Sequence, residues 1–342
     1  MKSKNVILLF LLLFSVSVSA KQNLKKYYKY MADAENFIMA EQYDKAVISY
    51  QNAFKNKDFP FGDDLENAVF CESKLQKPSI ERCKYYIENG VSKGWLKNVL
   101  KMDTTLLSDF IFRTSYMYEI GDTISKMVER DQFARKVEHS TMLKVDSTNI
   151  AAYKELLKTV DLLDERIVTY SLGDLGTLFI HWLDNKDFRA FITPLMLKAV
   201  QDGRYDARLF AKQMDYAIFR DNDFSGNFLQ YGTQLLKIFE LEEDRSKPMK
   251  ERKYFAYFNF NKNNPNDVKT IREIDKNRAE IYLDGIIECA VREFKLHFTT
   301  ILRVPAISIS GRKKDLSLLQ KEIDKNPNLI YYISNKHDFN SK

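Results

Sequence analysis

Apolar residues recur along this chain mainly at intervals of three and four, the spacing of amphipathic helices. Ala34 and Phe37 share one stripe; Tyr43, Ala46, Tyr50 and Ala53 share the next, with Glu41-Gln42 between them. That spacing predicts two short helices over 30–58. Further stripes predict helices at 63–75, at 79–88 behind Pro78 and Ser79, at 95–100 and at 106–118, with Asn89-Gly90 ending the second. The region from 123 to 297 reads as helices at 124–145, 149–170, 177–183, 188–201, 205–219 and 275–298. Asp146, Ser147 or Asn149 would cap the second of these, and Ser171 to Gly176 would form a turn. Lys253 to Asn261 is aromatic and β-prone. Residues 299–310 and 329–334, around a short helix at 314–325, suggest a strand–helix–strand appendage. The fold class expected is mainly α: a helical repeat-like N-terminal part (21–122) packed on an α-helical central domain (123–297), with a small α/β appendage (298–342).

One helix breaks the rule that core faces are apolar. On a wheel of ~100° per residue, Ile124, Met127, Val128, Met142 and Val145 make a core face. Asp131, Arg135 and Glu138 fall in its middle and His139 at its edge. Charges there are costly unless paired. Two readings fit: a structural ion-pair network, or a face lining a polar cavity. His181, on an apolar helix, is either a hydrogen-bonded core residue or an acid–base group with Asp131 as partner. Gln230, Tyr231, Gly232, Thr233 and Gln234 concentrate hydrogen-bonding groups, as a ligand loop or as a polar plug. The candidate catalytic residues are Asp131 and His181. The candidate ligand-binding residues are Arg130, Gln132, Arg135, Gln230, Tyr231, Thr233 and Gln234.

The start of the chain changes the setting. Lys2 and Lys4, the apolar run Val6 to Phe14 and the small residues up to Ala20 match a signal peptide cleaved before Lys21. Export to the periplasm or beyond is therefore expected. No later run reaches the ~18 apolar residues of a membrane span, so no span is expected after cleavage. Removing Lys2 and Lys4 from 53 basic residues leaves an excess of four over the 47 acids. With both signs interleaved, that is no nucleic-acid surface. An exported chain can keep disulfides. Cys71 and Cys83 are either a disulfide or, with Cys289, buried apolar thiols. No Cys/His spacing fits a metal, and no phosphate loop, nucleophile elbow or cofactor motif is present.

The small-and-large pattern over 30–58 resembles a tetratricopeptide repeat, and Ala68, 34 residues after Ala34, starts a degenerate second unit. Such repeats are mostly interaction surfaces, which favours a protein or peptide partner. Arg130-Asp131-Gln132 with Arg135, then Asp146, Asn149 and His181, and finally Tyr231-Gly232-Thr233-Gln234, resemble the secreted bacterial family called domain of unknown function 6624. Ile274-Asp275 and Arg278-Ala279-Glu280 look like its closing segment. The resemblance runs from about 127 to 285 and implies a domain, not an activity. The expected function is an exported helical interaction or scaffold protein with a polar cavity that can take a small-molecule ligand. The alternative is a hydrolase-like enzyme using Asp131, His181 and the loop at 230–234.

Overall fold

The computed structural model describes residues 23–101, 115–137, 139–168, 172–221, 230–233, 236–241, 254–258, 264–299, 311–313, 330–333 and 339–341. The segment read above as a signal peptide, Gln234, and most of the stretch predicted as the C-terminal appendage lie outside them. The fold is mainly α.

Helix α1 (Leu24–Met39) and α2 (Tyr43–Phe54) form a hairpin. Asn23 caps α1 by accepting from the Lys26 backbone at 3.1 Å, and Glu41 turns the chain at φ 55°. Ala34, Ala46 and Ala53 are fully buried where the helices meet, and Tyr27 and Tyr50 fill the space beside them. Helices α3 (Gly62–Glu72), α4 (Ile80–Glu88) and α5 (Lys93–Leu100) continue the series. Ser79 and Ser92 cap α4 and α5, and Gly90, at φ 106°, supplies the left-handed residue that ends α4.

The central helices are α6 (Ser115–Ala134), α7 (His139–Leu156), α8 (Glu165–Val168), α9 (Leu172–Trp182), α10 (Lys186–Gln201) and α11 (Ala207–Asp221). Four rings, Tyr153, Phe179, Trp182 and Phe188, pack edge-on or tilted with centroids 5.4–6.3 Å apart, and all are buried. Helices α12 (Pro265–Glu280) and α13 (Ile286–Thr299) follow. The strands β1 (Leu236–Leu241), β2 (Tyr254–Phe258), β3 (Gly311–Lys313), β4 (Ile330–Ile333) and β5 (Phe339–Ser341) join in one sheet of order β3-β1-β2-β4-β5. Its pairs are antiparallel except β1 with β3.

Five expectations change. The helix expected over 149–170 ends at Leu156 as part of α7, and helix resumes only over Glu165–Val168. The helix expected over 124–145 is two, because the chain turns at Arg135–Val137. Asp146, Ser147 and Asn149 lie inside α7 and cap nothing. Ser171 to Gly176 does not form the turn expected there, since α9 already begins at Leu172. The helix expected over 275–298 is broken at Ile281–Gly285, where Tyr282 has φ 69°. The strand expected within 253–261 is β2, and its partner β1 had no separate signal.

The N-terminal and central helices share one continuous apolar core running from Tyr27 to Leu296. A buried ion network crosses the same boundary. Arg208 of α11 donates to Asp64 of α3 at 2.8 Å and to Asp206 at 2.5 Å, with Glu35 of α1 at 3.7 Å. Tyr27 donates to the other Asp64 oxygen at 2.5 Å. Arg292 of α13 joins Glu35 to Asp284 at 2.5 and 2.6 Å. Among the described residues no helix is long and apolar enough to cross a membrane.

Candidate functional site

The turn between α6 and α7 positions the site. Asp131 sits on the last turn of α6 with its side chain fully buried, and Arg135 follows at the bend. Arg135 Nη2 reaches Asp131 Oδ1 at 2.8 Å and spans to Asp146 of α7 at 3.1 Å. Its Nε lies 3.1 Å from Asp131 Oδ2. From α9, His181 brings Nδ1 to 2.9 Å from Asp131 Oδ2. Three helices thus converge on one carboxylate. The cluster is not sealed: Arg135, His181 and Asp146 keep 22%, 18% and 16% of their side-chain surface in solvent.

Charge balance fixes the protonation pattern. Burial alone would raise Asp131; the hydrogen bonds and charge of Arg135, with the His181 ring beside it, outweigh this and hold the carboxyl below its usual range. Burial, reinforced by the Arg135 charge and opposed by Asp131, lowers His181 below its ordinary value, so the ring is neutral near pH 7. Asp146 is pushed up to about 6, first by burial and then by its hydrogen bond and repulsion with Asp131. His181 Nδ1 also lies 2.9 Å from Arg135 Nε, itself a donor. One nitrogen cannot accept from Arg135 and donate to Asp131 in the same tautomer. The tautomer with the proton on Nδ1 adds a donor to the Asp131 carboxylate, while Arg135 Nε keeps its own contacts with Asp131. Nε2 is then the basic nitrogen. Among the described residues nothing hydrogen-bonds Nε2 or Arg135 Nη1, and neither atom is buried.

The other sequence candidates divide. Gln132 Nε2 donates to Asp131 Oδ2 at 2.9 Å and belongs to the cluster's edge. Arg130 is occupied with Asn149 Oδ1 at 2.9 Å, and Asn149 in turn donates to the Met127 carbonyl. They pin α6 to α7. Gln230, Tyr231 and Thr233 do not close over Asp131. Their loop is held by Asp215 of α11, which accepts from Tyr231 N at 2.9 Å, Thr233 N at 2.6 Å and Thr233 Oγ1 at 2.9 Å. Asn277 and Arg278 donate to the Gln230 and Tyr231 carbonyls. Among the described residues no hydrogen bond joins this loop to Asp131, Arg135 or His181. Its polarity satisfies a buried aspartate, the polar-plug alternative.

Sequence reasoning missed two features of the neighbourhood. Asp146 read as a helix cap, yet it is the second carboxylate on Arg135. Arg220 pairs with Asp184 at 2.5 Å and donates to the Ile180 carbonyl, placing a second guanidinium beside the His181 turn. Its only sequence signal is a basic residue late in α11. Among the described residues no set of His, Cys, Asp and Glu side chains has the geometry to hold a metal ion. No protein-family model matches the chain, and comparison with curated proteins and with solved structures gives no match.

Proposed function

We propose that this chain is an exported helical protein carrying a hydrolase-like acid–base site at Asp131 and His181, for a substrate with an anionic group. The observation that carries the reading is the buried Asp131 carboxyl at 2.9 Å from His181 Nδ1, with the ring still partly open to solvent. In that arrangement the carboxylate orients the ring and stabilises the imidazolium formed when Nε2 takes a proton from water or a substrate hydroxyl. Arg135 Nη1, fixed because Nε and Nη2 are engaged, offers charged N–H donors to the anionic group. Asp146 holds the guanidinium in place. The leader-like pattern over Lys2 to Ala20 supports export, as does the resemblance of 127–285 to a secreted bacterial family. The test is a panel of chromogenic carboxylic and phosphate esters with wild type, His181→Ala and Asp131→Asn. The expected loss in kcat/KM is about 10²-fold or more for either variant. No turnover of any ester, or turnover that His181→Ala leaves unchanged, would sink the reading.

A second reading, a scaffold for a protein or peptide partner, draws on one observation. Phe133, Val137 and Leu143, at the α6–α7 corner that carries Arg135, are 69%, 58% and 52% exposed. Large apolar side chains exposed close together in sequence at one corner are the kind of surface that a partner covers. On this reading a Phe133→Ser/Val137→Ser variant loses a co-purifying partner that His181→Ala retains. Loss of the same partner in neither variant would count against it.

A further inference from the structure

A different site lies in the N-terminal helices. Between α2 and α4 a cavity of about 400 Å³ opens, lined by Gln51, Phe54 and Lys55 on one side and Glu81, Arg82 and Tyr85 on the other. That size lies within the ~300–1,000 Å³ of small-molecule sites. Phe54 and Tyr85, which both line it, stack with centroids 5.9 Å apart and planes 19° from parallel, making an aromatic wall in which one ring covers the other. Tyr85 is half-buried, and burial pushes its phenol up to about 12, so it stays neutral.

Its polar side is built rather than incidental. Glu72 is fully buried and binds Arg82 through both Nε and Nη2, the latter at 3.0 Å. The same carboxylate accepts from Tyr86 Oη at 3.3 Å and from the Ser79 backbone at 3.4 Å. A guanidinium held by two of its nitrogens presents the third in a fixed direction. Among the described residues nothing bonds Arg82 Nη1. Lys55 is a second, exposed cation on the rim, and Glu81 an exposed anion.

We propose that this cavity binds a monocarboxylate carrying a flat aromatic ring. The ring lies on the Phe54–Tyr85 wall, and the carboxylate takes Arg82 Nη1 and Lys55 Nζ. Glu81 disfavours a second negative charge. Calorimetric titration of the whole chain with 3-phenylpropanoate tests this, with 3-phenylpropan-1-ol, hexanoate and phenylsuccinate as comparisons. Saturable one-to-one binding of 3-phenylpropanoate is expected, at least about tenfold tighter than for the other three. Lys55→Ala and Tyr85→Leu, each checked for native helicity, weaken it by a similar factor. Asp131→Asn leaves it unchanged, which separates this site from the central one. No saturable binding, equal binding of all four compounds, or binding insensitive to Tyr85→Leu overturns the proposal.

Discussion

Replacing Arg208 by methionine tests how the front helices are joined to the centre. Methionine fills much of the arginine stem but leaves Asp64, Asp206 and Glu35 facing one another without the cation that now lies 2.8, 2.5 and 3.7 Å from them. Removing one partner of a buried ion cluster costs about 3–5 kcal/mol, because the remaining charges stay desolvated. The cost depends on pH. Burial already pushes Asp64 up to about 6 with Arg208 beside it lowering it; without Arg208 it goes higher. A carboxyl raised in the folded state holds a proton that the unfolded chain has released. The stability this confers is complete below the unfolded value and is lost as pH rises through the folded one. The deficit of Arg208→Met therefore grows between pH 5 and pH 8, each unit of additional rise in a folded-state value being worth about 1.4 kcal/mol. Urea unfolding followed by circular dichroism at both pH values measures it. A loss below about 1 kcal/mol at pH 8, against the range expected for a broken buried pair, would refute the reasoning. So would an equal loss at both pH values.

Three further outcomes follow from the same kind of accounting. Glu165 is pushed up to about 8, chiefly by burial, while its Oε1 accepts from Gly62 N at 2.8 Å. Glu165→Gln keeps the acceptor and removes the titration, so wild type loses stability relative to the variant as pH rises from about 5 to 8; parallel stability curves would contradict this. Burial pushes the Cys71 thiol far above its usual range and Cys83 up to about 11, and all three cysteines are buried thiols. An aromatic disulfide reagent at pH 8 should therefore label none in the native chain and all three in guanidinium. A single reactive thiol under denaturation would instead reveal a Cys71–Cys83 bond. Asp215→Asn turns one of the two accepting oxygens into an amide donor, so one or two of the three hydrogen bonds are lost and the cost should be about 2 kcal/mol, with amide exchange at Tyr231 and Thr233 accelerating more than in α6; uniform acceleration would make Asp215 a general core group rather than the loop's anchor.

The front helices were legible because each local signal agrees: small residues at the close approach, serines at caps and Asn89-Gly90 at an end. The α6–α7 break was not, since Arg135-Lys136-Val137 contains neither glycine nor proline and the apolar spacing runs through it. Gly173 and Gly176 misled in the opposite direction. Each costs a helix about 1 kcal/mol, but α9 buries Leu175, Leu178, Phe179 and Trp182, which is worth more. At the site, charges on an apolar face drew attention to Asp131 and Arg135, and the structure brings His181, from a separate apolar helix, against Asp131. Asp146 was hidden because a cap and a buried partner look alike in sequence. The Gln230 loop looked functional because its anchor, Asp215, lies on another helix, and spacing carries no information about contacts closed by tertiary packing. The same holds for Arg208, whose partner Asp64 is far away in sequence.

The central claim is an Asp131–His181 pair with a basic Nε2 open to solvent. Long-range proton–nitrogen spectra of the imidazoles measure it most directly, with His181 identified among the four histidines by its loss in His181→Ala. A protonated Nδ1, an unprotonated Nε2 and a titration midpoint below the ordinary histidine value are expected, and Asp131→Asn should disrupt this tautomer. A proton on Nε2 at neutral pH, or a midpoint above the ordinary value, would contradict it.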